Sequence, residues 1–427
     1  MNLEIDARRE DRSGDLLVNN IGQLLTLEGH RKPRVGRALM NLGIMERAAV
    51  LVERGAITAV GPHEEVVPQA RDVETLDARG RLVMPGFVDA HTHTAFAGSR
   101  EGELADKLAG KSYAQVAREG GGIQRTVRAT RRASREQLIE ETAARLRRMI
   151  DLGSTTVEIK SGYGMSTKEE SKLLEVISTL SQELPVNVVP TFLGAHAVPE
   201  EYLEDSEGFV EYLLRESLPA VASRGLARYC DVFVEEGFFS KDQGRRILLA
   251  GQEHGLASKV HADELTPSGG AELAAEVRAV SADHLLFASE EGLAAMARSG
   301  TLAVLLPGTS FSSLGLPYCD ARRVIELGLP VALGTDLSPN SWIESMQFVV
   351  SLACYKLRMQ PEEALSAATI NAAWAIGMAG EVGSIEEGKR GDLLLLGARD
   401  YREIPYRIAS NLVQTVVKDG VVVSPGG

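Results

Sequence analysis

Cysteine is scarce in this chain. Its 427 residues hold three, Cys230, Cys319 and Cys354, too few and too scattered for a disulfide framework or a cysteine metal site. That usage agrees with a reducing cytosol, so a cytoplasmic protein is expected. No apolar run is long enough to span a bilayer. The opening stretch MNLEIDARREDRSGD is charged and lacks the apolar centre of a secretory signal. Positive charge is also in deficit. The formal net charge is −13, which argues against nucleic acid as a partner. Against that field an anionic small molecule needs a local cationic anchor. The Arg-rich stretch around residues 125–148 reads as a solvated helix face. A glycine-rich phosphate loop after an early strand is missing too, which disfavours an open doubly wound sheet. Gly120-Gly121-Gly122 comes later, before a helical pattern, and reads as a mobile loop over the mouth of a barrel.

What is present divides the chain into three parts. Residues 1–14 read as a disordered tail. Residues 15–83 carry short alternating apolar runs broken by Gly and charged turns, the pattern of β-hairpins. Residues 384–427 return to that style and turn at Asp419-Gly420. A small β domain built from both chain ends is therefore expected. Between them, residues 84–383 alternate strand-like and helical segments. Eight strand-like runs occur: LVMPGFVDAHTH, STTVEIKSG, VNVVPTFLGAH, ARYCDVFVEEG, ASKVHADE, AVSADHLL, LAVLLPGTS and LPVALGTD. Helices are signalled by caps at Ser134, Thr167 and Ser240. The economical α/β fold is a (β/α)8 barrel.

The histidines concentrate where such a barrel does its chemistry. Of eight, five fall at or just after strand C-termini: His91 and His93 on strand one, His196 on strand three, His261 on strand five and His284 on strand six. His91 and His93 are two apart, so on a strand both face one way. Asp336 ends strand eight at the same level. Two or three imidazoles with a carboxylate make a catalytic metal set with an open position. Other readings are open at single positions. Asp336 could cap a helix, and Glu264 could begin one. His196 could be a hydrogen-bonded structural histidine. His284 could be bonded to Asp283, and Arg100 could be an ordinary surface arginine.

The segments FVDAHTH with AGSR, AREGGGIQRTVRATRRAS, EIKSGYG, PTFLGAHAVPEEY, DVFVEEGFFS, KVHADELTPSGGAELAAE, SADHL and VALGTD run through nearly the whole barrel. They resemble the amidohydrolase superfamily and, within it, the imidazolonepropionase family. The resemblance implies one zinc or iron ion per subunit on His91, His93, His261 and Asp336, with a water activated on it. It implies hydrolysis of 4-imidazolone-5-propanoate to N-formimino-L-glutamate in histidine degradation. Asp336 would then act as base, His284 would polarise the attacked carbon, and Glu264 would shuttle a proton to the leaving nitrogen while contacting the ring. By resemblance Arg100 binds the anionic propanoate tail, and Tyr163 and His196 contact substrate; Tyr113 is a second candidate for the tail. One loop departs from the family's pattern. After Asp336 an Asn-Pro-Gly-Ser or -Thr sequence is expected, yet Ser338 stands for the amide and Asn340 for the glycine, with Ser341 following. These three positions would touch substrate or product.

Three competing readings follow. A cyclic-base deaminase of cytosine or guanine type shares the metal set but has no use for Arg100. A binuclear hydantoinase-like enzyme needs a lysine on strand four, and RYCDVFVEEG has none. A catalytically dead scaffold would have shed ligands that this chain keeps. A homodimer is the default assembly.

Overall fold

The computed structural model describes residues 13–29, 31–111, 115–116 and 119–425. Both chain ends enter one sheet. Leu16–Leu25 pairs antiparallel with Ile44–Glu53 and parallel with Glu74–Asp77 and Leu82–Pro85. Ile44–Glu53 and Ala56–Pro62 form a hairpin that turns at Arg54-Gly55. The C-terminal strands Leu393–Leu396, Val413–Lys418 and Val421–Pro425 extend the same sheet from Leu82–Pro85. Asp419 and Gly420 have φ of +49° and +76°, the left-handed pair that a tight two-residue hairpin turn requires. Both faces of this sheet are covered, Leu16 and Val18 packing in one apolar cluster and Leu17 in another. The expected tail lies outside the described residues up to 12. Gly14 is tied down, its N–H donating to the Asp419 carbonyl and its carbonyl accepting from Gly55.

The first strand-like run of the middle region is two strands in two sheets. Leu82–Pro85 belongs to the terminal sheet; β1 of the barrel is only Phe87–Asp89. The break is Gly86. A β-carbon there would lie 2.0 Å from the Thr155 hydroxyl, so only glycine lets the chain cross between sheets at that point. The sequence LVMPGFVDA marks the place only by the breaker dipeptide Pro85-Gly86, set in a run that is apolar on both sides.

After β1 come β2 (Ser154–Lys160), β3 (Asn187–Ala195), β4 (Tyr229–Val234), β5 (Ala257–Ala262), β6 (Ser281–His284), β7 (Leu302–Leu305) and β8 (Val331–Leu333). Each pairs parallel with the next. The ring closes at the C-terminal end of β1. Thr335 donates through N–H and hydroxyl to the Asp89 carboxylate, Asp336 N–H to the His91 carbonyl, and His93 N–H to the Leu337 carbonyl. Helices lie between strands as their caps predict. Ser134 caps Arg135–Asp151 and Ser240 caps Lys241–Glu253 with a reciprocal Gln243 bond. The helix Thr167–Glu183 is capped one residue earlier than its sequence suggests, by Ser166. The Arg-rich stretch is not wholly a solvated face: Arg145 is buried, donates to the Phe96 carbonyl and lies 3.8 Å from the centre of the Phe96 ring. Among the described residues no helix is long and apolar enough to cross a membrane.

Candidate active site

Parallel strands bring the five histidines to one end of the barrel. The Nε2 atoms of His91 and His93 are 3.2 Å apart, as are those of His261 and His93. Asp336 Oδ1 lies 3.6 Å from the first and 3.5 Å from the second. Four ligand atoms at about 2.1 Å from one tetrahedral ion stand about 3.4 Å apart. These four distances match that spacing, and the three imidazoles offer nitrogens that all lie within 4.8 Å of one another. Their chemistry fits as well. Burial first, then neighbouring cations and imidazoles, hold His91 and His93 well below the usual histidine range. They are neutral and keep lone pairs for a metal.

Carboxylates behind the ligands fix their orientation. His91 Nδ1 donates to Asp283 Oδ2 at 2.6 Å, and His261 Nδ1 lies 3.0 Å from Asp231 Oδ2. A proton on Nδ1 leaves Nε2 to face the metal position. Below them lies a wholly buried layer of charge. Lys160 donates to Asp231 at 2.8 Å and Glu158 at 3.0 Å, with Asp283 at 3.6 Å; Lys259 lies 3.1 Å from Glu158. Burial opposes charge on Asp231, yet His261 and Lys160 hold its carboxyl well below the usual range. His91, Glu158 and Asp283 also come close enough to resemble a metal set. Their two carboxylates are already matched by the lysines.

A cavity of about 460 Å³ opens above the histidines. His93, His196, His261, His284, Glu264 and Asp336 line its floor; Arg100, Lys107, Tyr163, Ser338 and Asn340 are on its walls. Asp336 caps no helix. Its Oδ2 accepts from the Thr309 hydroxyl at 2.5 Å, which leaves Oδ1 toward the histidines. Burial raises its carboxyl to about 6. His284 does not pair with Asp283; its Nε2 lies 3.5 Å from Glu264 Oε2. Burial holds His284 well below the usual range, so it too is neutral. His284 and Leu285 have φ of +78° and +63°, an uncommon backbone state that aims His284 into the cavity. Glu264 is pushed well above the carboxylate range by burial and then by Asp336 and Glu235. Its loop is clamped by two acids: Glu235 accepts from Leu265 N–H at 2.8 Å, and Asp263 accepts from Gly269, Gly270 and Ala271.

His196 is hydrogen-bonded and faces the cavity as well. Its Nδ1 donates to the Gly162 carbonyl at 3.2 Å, and its ring stacks on His93 at 4.9 Å. Tyr163 is buried with its ring centre 5.2 Å from that of His196. Arg100 is not a surface residue; it is buried, with Nη2 donating to Asn340 Oδ1 at 2.7 Å. Ser341 is fully buried, closing a turn with Ser338, and is not on the cavity wall. Tyr113 lies outside the described residues.

The family model described as Amidohydrolase family matches residues 74–122 and 100–424. An imidazolonepropionase of Symbiobacterium thermophilum is 49% identical over 421 residues, 97% of this chain and 99% of that protein. One from Geobacillus kaustophilus is 49% identical over 96% of this chain and 98% of its own length. The chain belongs to the imidazolonepropionase family. Among solved structures, E. coli guanine deaminase superposes with a TM-score of 0.72 at 15% identity, covering 96% of this chain and 99% of that one. The 5-methylcytosine deaminase of Klebsiella pneumoniae gives 0.71 at 18%, covering 96% and 97%. At such identities the likeness is one of fold.

The charged layer beneath the histidines is one that the motifs alone do not disclose. Glu158, Lys160, Asp231, Lys259 and Asp283 are charged residues on strands of mixed polar and apolar character. The available signal was their placement: Lys160 is two residues from Glu158, and Lys259 two from His261, so each pair shares the barrel-facing side.

Proposed function

We propose that this enzyme opens the ring of 4-imidazolone-5-propanoate, giving N-formimino-L-glutamate in histidine degradation, with the residues that converge in the cavity. The observation that supports this most is the pairing, in one cavity, of four converging ligand atoms with the buried Arg100. His91, His93, His261 and Asp336 would hold one zinc or iron ion; imidazole and carboxylate suit both. When bound, the ion supplies Lewis acidity and brings the pKa of a bound water to about 7.

Arg100 anchors the propanoate, with Tyr163 and His196 walling the ring and Ser338 and Asn340 beside it. Asp336 takes a proton from the attacking water on its carboxylate, whose Oδ2 is held by the Thr309 hydroxyl. The water oxygen bonds to the ring carbonyl carbon, and neutral His284 donates a hydrogen bond to the oxygen on which charge gathers. The ring C–N bond breaks and the carbonyl carbon becomes a carboxylate. Glu264, kept protonated by burial, hands its proton to the departing nitrogen. The test is turnover of freshly made 4-imidazolone-5-propanoate by metal-quantified protein, with a chelated control. Loss of substrate with N-formimino-L-glutamate appearing supports the reading. A fully metallated sample that leaves the substrate intact overturns it.

A further inference from the structure

The cavity wall holds a second cation that the roles above do not use. Lys107 lies on the short helix Glu103–Leu108 and is half-buried at the cavity. Its Nζ donates to Asn340 Oδ1 at 3.0 Å and to the Asn340 carbonyl at 3.2 Å. Arg100 Nη2 donates to the same Oδ1 at 2.7 Å. One amide oxygen therefore accepts from two cations at once. A neutral amide oxygen carries only a partial charge, so by itself it balances neither cation.

The nearby acid does not resolve this. Glu103 Oε2 lies 3.3 Å from Arg100 Nε, and its other oxygen accepts from Gly122 N–H at 2.9 Å. The group of Arg100, Lys107 and Glu103 keeps a surplus of one positive charge, in a chain whose net charge is −13. Burial and the proximity of Arg100 both weaken the protonated form of Lys107. An anionic oxygen between the two cations removes that repulsion and makes two charge-assisted hydrogen bonds.

We infer that Lys107 and Arg100 form a two-cation clamp for the substrate's carboxylate, and that the Asn340 side-chain oxygen marks the position a carboxylate oxygen takes when it displaces the amide. The inference rests on the reading of Arg100 as the carboxylate anchor. It adds a specificity-determining residue, Lys107, and gives the unusual Asn340 a physical role as an internal competitor. A glycine at 340 has no side chain to compete.

The experiment is steady-state kinetics of the metal-loaded enzyme on 4-imidazolone-5-propanoate for wild type, Lys107→Met, Lys107→Arg, Arg100→Met and Asn340→Gly. It is paired with calorimetric binding of N-formimino-L-glutamate. Lys107→Met is expected to raise KM about tenfold, about 1.4 kcal/mol, with kcat within about twofold. Product binding should weaken by a similar factor. Lys107→Arg should recover most of the loss, and Asn340→Gly should lower KM. A KM for Lys107→Met within twofold of wild type overturns the clamp, as does a loss that falls on kcat alone. If Arg100→Met raises KM and Lys107→Met does not, the clamp fails while the anchor stands. If Arg100→Met leaves KM unchanged, the anchor reading itself fails, and the clamp with it.

Discussion

Asp283 accepts a hydrogen bond from His91 across the barrel, Oδ2 to Nδ1 at 2.6 Å, with both side chains wholly buried. The bond fixes which His91 nitrogen carries the proton and turns Nε2 toward His93 and Asp336. Asp283→Asn keeps the shape but replaces a charged acceptor with a neutral amide. It is expected to lower metal affinity about 10- to 100-fold, the usual cost of losing such a partner. Competition with a chelator of known affinity measures this on the folded protein. Wild-type affinity in the variant would mean that His91 needs no orienting partner.

The layer beneath the ligands makes a prediction about stability. Lys160 touches Glu158 and Asp231 directly and lies 3.6 Å from Asp283, and all four side chains are fully buried. Lys160→Met leaves Glu158 and Asp283 to share Lys259 and leaves Asp231 with His261 but no lysine. Breaking a buried pair on one side costs about 3–5 kcal/mol, because the remaining charge has no water to compensate it. Urea unfolding of the metal-free variant against metal-free wild type should show a loss of that order. A loss below about 1 kcal/mol would sink the view that this lysine neutralises the layer.

These two predictions also mark what the sequence could and could not disclose. The gathering of His91, His93 and His261 was legible because they fall at strand ends, where an apolar run stops and a polar cluster begins. Glu264 and Asp336 were legible for the same reason. Asp283 was readable only as a neighbour of His284, and the fold gives it instead to His91, 192 positions away in the chain. Lys160 and Asp231, 71 positions apart, look like strand residues of mixed character until the barrel closes them on one another. Long-range pairing of buried charge has no local pattern to announce it. The crossing at Gly86 is a different case: Pro85-Gly86 is a breaker dipeptide, but apolar residues continue on both sides of it, and the close approach of Thr155 shows only in the fold.

Metal removal should separate chemistry from fold. His261 lies on β5 and His91, His93 and Asp336 just past strand ends, above a barrel packed through a large apolar core and its own ion layer. Chelation is therefore expected to abolish turnover while leaving the far-ultraviolet circular dichroism spectrum intact, and returning zinc or iron should restore activity. A protein that unfolds on chelation would show that the ion holds the barrel together, contrary to the packing seen here.

Glu264 offers the sharpest test of the proton route. Its loop is held from both sides by Glu235 and Asp263, so Glu264→Gln should leave the cavity's shape unchanged. Glutamine can still donate a hydrogen bond to the substrate ring through its amide, so binding should survive and KM should stay within about threefold. It cannot release a proton to the departing nitrogen. A positioned acid of this kind contributes about 10²- to 10⁴-fold, and kcat should fall by that amount. The protonated state of Glu264 depends on burial beside Asp336, so the variant must be compared at equal metal content, where the charge at Asp336 is matched. An equal loss in KM and none in kcat would make Glu264 a binding residue only. The proton for the leaving nitrogen would then have to come from elsewhere, with His284, 3.5 Å away, the next donor to replace.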